Sequence, residues 1–474
     1  MTRLWISAFV VLAVSARVAS ACGGPYGVDV RNVLSPEARI ANRAEEQLRA
    51  AGAEGMAALA NLRARLTNPS QQSQAASPER LQSQLQRLDE VMDRVGGAKY
   101  CSRSGLFWHT DFAQAQAVAG RSGKPILSLR LMGNLTDEYS CANSRFFRTT
   151  LYANADVSQF LRENFVLHWK SVRPVPVVTI DFGDGRKLQR TLTGNSIHYV
   201  LTPEGEVVDA LPGLYGPKAF QKHLGNALSA AASVAKLEPP QRVEALTTYH
   251  TERLAELQAA WAADIRRLEE QTVLSGRPET GGRGFYASAE AGPPSPVVAN
   301  GAQPDALRAA ATAEPKGRVE KKLISEVAPV AISPMELEDD QTWLQIAALH
   351  QAEAELDQAT LALIRSQNPT AAQAGRLAFT KRLAEDPLVR MVRSFQNSIA
   401  LDTVKNEYQL HRALHQWLLD PGSRTDVDAL NERVYAELFL TPRSDPWLGL
   451  APADVYTALP NGGVGPTAAT TIAE

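Results

Sequence analysis

The chain has 474 residues, enough for two or three domains at roughly 150 residues each. Its 49 basic and 51 acidic side chains nearly cancel, so no strong field points to nucleic acid or to an anionic membrane. Its three cysteines, Cys22, Cys101 and Cys141, are an odd number, so they cannot all pair within the chain.

Residues 1–21 read as a secretory signal. Arg3 supplies the positive start, Leu4 to Val14 an apolar core, and Ala19, Ser20 and Ala21 the small side chains that a signal peptidase reads. The core is too short for a spanning helix, and no other apolar run reaches 18 residues. The expectation is export to the periplasm or cell envelope. Cys22 follows the small-residue triplet directly and resembles the cysteine of a bacterial lipobox, although Ala19 stands where leucine is common. Lipidation at Cys22 and ordinary cleavage after Ala21 are both open. Lipidation would be the only membrane attachment.

Residues 22–100 are expected to form a helical hairpin, with helices over 36–66 and 78–96. Leu81, Leu85, Leu88 and Met92 fall at helical spacing, and a polar break runs from Asn68 to Gln74. From residue 101 to residue 236 strands and helices alternate. Leu106 to Trp108 is a short strand, Asp111 to Gly123 a helix, and Pro125 to Met132 an apolar β-rich run. Ser144 to Leu161 is a helix broken near Ala153 and Asn154, and Phe165 to Trp169 a strand. Val177 to Phe182 and Lys187 to Leu192 flank a Gly183-Asp184-Gly185 turn, a hairpin signal. His198 to Leu201 and Val207 to Leu211 are two further strands, and a helix from Pro217 to Ala235 ends the unit. The pattern predicts an α/β fold, a mixed sheet with flanking helices.

Separate helical regions are expected on either side. Residues 237–272 read as a long helix. Residues 273–335, rich in Gly, Pro, Ala and Ser, read as a disordered linker. Residues 336–460 are helical again, with a helix from Met391 to Leu419 closed by Asp420, Pro421 and Gly422. Asp445 to Leu450 reads as a packed loop, and 461–474 as a disordered tail.

Over residues 101–236 the chain resembles the thioredoxin-like superfamily. The resemblance rests on Gly123-Lys124-Pro125-Ile126-Leu127, on a cysteine opening a helix, and on Asn164-Phe165-Val166. The layout is similar to that of the anterior-gradient proteins and of the Cys-His-Trp-Cys domain of unknown function. In those, a β-branched residue and a phenylalanine follow the first active-site cysteine at fixed distances; Val157 and Phe165 stand 16 and 24 places after Cys141. The resemblance implies that Cys141 is the counterpart of the nucleophilic cysteine and Ser144 that of the second. Three departures stand out. Cys141-Ala142-Asn143-Ser144 is a monothiol motif. The loop before Cys141 is about six residues longer than usual and brings in Asp137, Glu138 and Tyr139. Ser196 and Ile197 stand where the family places a cis-proline that helps dock substrate.

A cysteine at a helix N-terminus faces unpaired N–H groups and the positive end of the helix dipole, both of which favour thiolate. Thiolate is the attacking species in disulfide exchange. Ser144 cannot resolve a mixed disulfide, so Cys141 would capture partners, isomerise disulfides with an outside thiol, or accept oxidation. Asp137 and Glu138 would oppose a thiolate if they were close. Cys101 precedes the first strand and Cys141 follows the end of a strand parallel to it, an expected separation above about 10 Å, too far for a disulfide. Cys22 with Cys101 is the more plausible pair if Cys22 carries no lipid.

Glu407, His411 and His415 recur every four residues, a spacing a zinc site can use. Leu410, Leu414, Trp417 and Leu418 run beside them, so the expectation is packing, with no metal. Lys124 and Arg130 flank the central strand and are expected to be solvated. Trp108 and His109 are expected to pack on the sheet. No cofactor motif, Ser/His/Asp elbow or paired-carboxylate motif is present. Two functional readings remain: an envelope protein whose degenerate thioredoxin-like module binds protein partners, or a monothiol thiol–disulfide exchange or redox-sensing protein using Cys141, with partners held by mixed disulfide.

Overall fold

The computed structural model describes residues 30–68, 77–191, 194–274, 340–369 and 387–445. The signal segment, Cys22, the 275–335 part of the expected linker, Pro446 to Leu450 and the tail lie outside them. The chain divides into two compact units, Met1–Val95 and Gly96–Glu474.

The first unit is helical. A 3-10 turn, Val30–Leu34, leads into α1 (Ala38–Ala50), α2 (Ala53–Thr67) and α3 (Pro78–Gly96). The single helix expected over 36–66 is in fact two. Gly52 between them takes φ 67° and ψ −133°, a conformation that breaks the helix and that only glycine adopts without cost. Gly55 then lets α2 pass so close to α1 that a Cβ there would meet the Leu48 carbonyl oxygen at 2.0 Å. Leu48, Met56, Leu59, Leu88, Met92 and Val95 form the core of this unit. Arg63 pairs with Asp89 at 2.6 Å and Arg94 with Glu45 at 2.7 Å.

The second unit is built on a mixed five-stranded sheet. Its strands are β1 (Trp108–His109), β2 (Ile126–Met132), β3 (Val166–Arg173), β6 (Ser196–Leu201) and β7 (Val207–Pro212), in the order β1-β3-β2-β6-β7. β1, β3 and β2 are parallel; β6 and β7 are antiparallel to their neighbours. Every residue of β2, β6 and β7 is buried, as befits strands covered on both faces. The expected hairpin is present as a two-stranded sheet of β4 (Val177–Asp181) and β5 (Lys187–Thr191), with Gly183 and Gly185 at φ 76° and 89°.

Helices cover both faces. α4 (Phe112–Ser122) begins at the Asp111 cap, whose carboxylate accepts from the Gln114 N–H, and ends at Gly123, φ 69°. The helix expected after β2 starts two residues early, as α5 (Ala142–Phe146), and runs on through a π turn, Phe147–Leu151. It breaks where Asn154 caps α6 (Ala155–Asn164) by accepting from the Val157 N–H at 3.0 Å. α7 (Pro217–Val234) and the long α8 (Pro239–Leu274) follow, so residues expected to open the linker continue the helix.

The C-terminal helices are not a separate domain. α9 (Asp340–Leu349), α10 (Gln358–Gln367), α11 (Pro387–Lys405), a π turn (Asn406–His411), α12 (Arg412–Leu418), α13 (Val427–Arg433) and a further π turn (Val434–Leu438) belong to the same compact unit as the sheet. α13 lies on the sheet: the Tyr199 hydroxyl donates to Asn431 at 3.3 Å, and Asp428 pairs with Arg130 at 3.1 Å. Arg130 is therefore buried, not solvated, since its strand is covered on both faces and a C-terminal carboxylate reaches it. No helix among the described residues is long and apolar enough to cross a membrane.

Candidate functional site

Two groups of chemistry-bearing side chains lie inside the second unit. The first is the cysteine after β2. Cys141 is the N-cap of α5: its Sγ accepts from the Ser144 N–H at 3.4 Å, and the Ser144 hydroxyl donates to the Cys141 carbonyl at 2.9 Å. Val157 and Phe165, the two residues in register with it, are both buried. Helix position alone would favour thiolate, but here burial dominates. The thiol is fully enclosed, and the resulting desolvation raises its pKa above the ordinary thiol value despite the opposing Ser144 hydrogen bonds. The expected activation is thus reversed in this conformation.

What encloses the thiol comes from three places. Cys141 Sγ donates to the Asn195 carbonyl at 3.7 Å, just ahead of β6, and the Tyr435 hydroxyl donates to the same carbonyl at 3.2 Å. The Asn195 amide donates in turn to the Thr441 hydroxyl at 3.1 Å, and the Arg173 guanidinium, at the end of β3, donates to the Thr441 and Pro442 carbonyls. Gly194 packs on the start of α5, so that a Cβ there would meet Asn143 Oδ1 at 2.7 Å. The segment from Tyr435 to Pro442 therefore sits over the loop that faces Cys141.

The long loop before Cys141 is the third wall. Arg148 donates to the Ser140 hydroxyl at 2.9 Å and to the Glu138 carbonyl at 3.3 Å. Glu138 pairs with Lys99 at 3.0 Å, and Asp137 accepts from Asn134 at 2.9 Å. Both acids thus have partners of their own within the loop region. No disulfide joins Cys101 to Cys141. Lys124 reaches the Arg162 carbonyl at 3.2 Å, and Trp108 is buried against Tyr152 with ring centroids 5.2 Å apart.

The second group centres on Asp209 of β7. His411 Nε2 lies 3.2 Å and His415 Nδ1 3.8 Å from Asp209 Oδ1. The Tyr249 hydroxyl donates to Asp209 Oδ2 at 2.6 Å, and His250 Nδ1 lies 2.9 Å from His415 Nδ1. Asp209, His250, His411 and His415 are all buried. Burial pushes the Asp209 carboxyl up, but the His415 and His411 imidazoles outweigh it and hold the group far below the carboxylate range. Burial lowers His250 to about 4 and, with His411 beside it, His415 well below the ordinary imidazole value.

Of the three residues spaced four apart, the structure brings His411 and His415 together and sends Glu407 elsewhere. Glu407 pairs with His223 at 3.4 Å and Lys222 at 3.7 Å. The separation follows from the π turn, which breaks the α-helical spacing between them. Asp209, Tyr249 and His250 escape a sequence reading, because Asp209 sits inside the apolar run Val207 to Leu211 and the other two on a charged helix. Compared with family models, curated proteins and solved structures, the chain matches none.

Proposed function

We propose that this chain is an exported thioredoxin-like envelope protein that binds protein partners through a module whose degenerate active site is kept closed. The fold assignment is supported by the sheet order β1-β3-β2-β6-β7 with its parallel and antiparallel pairs, and by a cysteine capping the helix after a central strand. The export assignment rests on residues 1–21 of the sequence, with lipidation at Cys22 as the membrane attachment to be tested by mass spectrometry of the mature N-terminus.

The observation that carries the partner-binding reading is the complete burial of Cys141 beneath the chain's own Tyr435 to Pro442 segment. A thiol that no substrate can approach does not exchange disulfides. The hairpin β4–β5 is the exposed alternative: Val177, Ile180 and Phe182 are each about half exposed there, and partners are expected at that hairpin.

The monothiol exchange reading is favoured by one observation, the N–H of Ser144 directed at Cys141 Sγ, which would support a thiolate once the segment lifts. Replacing Ser144 with cysteine separates the two readings. With the site closed, S144C shows no reductase activity toward a small disulfide, and Cys141 resists alkylation until the protein is unfolded. Turnover by S144C, together with alkylation of native Cys141 at the rate of an open thiol, would establish the exchange reading instead.

A further inference from the structure

We propose that Asp209, His411 and His415 form a binding site for one divalent first-row metal ion, with zinc the best fit. The ligand atoms of the first three lie within 4.8 Å of one another. In a tetrahedral zinc site with ligands at about 2.0–2.1 Å, neighbouring ligand atoms stand roughly 3.3 Å apart. The separations of 3.2 Å and 3.8 Å from Asp209 Oδ1 bracket that edge. Small side-chain shifts bring the three donors around one centre, with His250 beside His415 at 2.9 Å.

The chemistry of the donors points the same way. Imidazole and carboxylate together suit zinc and its first-row neighbours, whereas magnesium and calcium take oxygen-only sets. A buried carboxylate normally has a cationic partner, because an uncompensated charge in the interior is costly. Among the described residues, the only ionic partners of Asp209 are these two imidazoles, with no lysine or arginine. A divalent ion supplies the missing positive charge.

The surroundings are those of a ligand shell. Tyr249 holds the second oxygen of Asp209 at 2.6 Å and the Ala210 N–H donates to the first at 2.7 Å. Such contacts orient a ligating carboxylate and leave a lone pair for a metal. Tyr249 also lines a surface cleft of 330 Å³ with Asn226, Ser229 and Arg253. All three ligands are buried, so the role is structural. The ion would tie strand β7 to the Asn406–Leu418 stretch, independently of whether Cys141 is redox active.

The test uses the full-length chain, stripped with chelator and then titrated with zinc by calorimetry and with cobalt by visible absorption. One zinc per chain, intense tetrahedral cobalt bands and a melting temperature that rises with zinc are expected. H411Q and H415Q should each weaken zinc binding by at least about a hundredfold, and Y249F by about tenfold, the range seen when ligand or supporting contacts are lost. H350Q, away from the cluster, should bind like the parent chain. If H411Q or H415Q fails to fold, the parent chain's cobalt spectrum and the Y249F titration decide. Absence of tetrahedral bands in the parent chain, or zinc binding unchanged by Y249F and the histidine substitutions, overturns the site and leaves a hydrogen-bonded histidine network.

Discussion

Replacing Arg173 with alanine tests whether the Tyr435 to Pro442 segment governs access to Cys141. The Arg173 guanidinium donates to the Pro442 carbonyl at 3.2 Å and to the Thr441 carbonyl, and alanine leaves both acceptors without their donor. Hydrogen bonds to a charged group contribute about 1.5–3 kcal/mol each when buried. Arg173 is half-buried, so water takes up part of the loss, and a total near 2 kcal/mol is reasonable for the pair. At 1.4 kcal/mol per tenfold, the open population rises about thirtyfold. When opening and closing are fast relative to chemistry, modification of a protected group tracks that population. Alkylation of Cys141, read by peptide mass spectrometry under native conditions, should therefore accelerate about thirtyfold in R173A. Cys101, buried in the short Cys101–Ser104 helix, is the internal reference and should not change. If R173A keeps its circular dichroism and melting temperature and Cys141 reacts no faster than in the parent chain, the segment does not control access.

Other outcomes follow from the same contacts. G216A should destabilise the second unit by about 2–3 kcal/mol in chemical denaturation, because a Cβ would meet the Glu353 carbonyl oxygen at 2.3 Å and backbone cannot give way cheaply. N154A removes the cap that restarts the broken helix and should cost about 1 kcal/mol in the same assay. His350 lies between Asp264 at 2.8 Å and Glu353 at 3.0 Å; burial alone would lower its pKa, but the two acids raise it to about 10. A raised imidazole value means that this stabilisation is complete below the unfolded-state value near 6.5 and is lost as pH climbs toward about 10. The parent chain should thus lose stability over that window, and H350Q should show a flatter profile between the same limits.

Much of the sheet unit is legible in the sequence because its signals are local. Asp111 and Gly123 mark the two ends of α4, the Gly183-Asp184-Gly185 turn marks the hairpin, and the apolar run from Ile126 marks the central strand. Gly52 is just as local, but one glycine inside an alanine-rich helical pattern does not announce that its φ is positive. What the sequence hides is whatever depends on distant partners. Arg130 is buried because Asp428 comes to it from nearly three hundred residues away. Cys141 loses its expected thiolate character through a segment that follows it by a similar distance. Asp209 meets its histidines only once β7, α8 and the C-terminal helices have assembled.

The π turn at Asn406–His411 sets rules for how this chain can change in length. A π turn holds one residue more than the α turn it replaces. Removing the exposed Gln409 can convert it to a regular turn, with Thr403 and Leu414 still directed inward on either side. The same deletion at Ile399, within the α11 stretch, has no slack to absorb it and swings every later side chain by about 100° around the axis. Single-residue length variation should therefore be tolerated at that one turn and rejected along the rest of the helix.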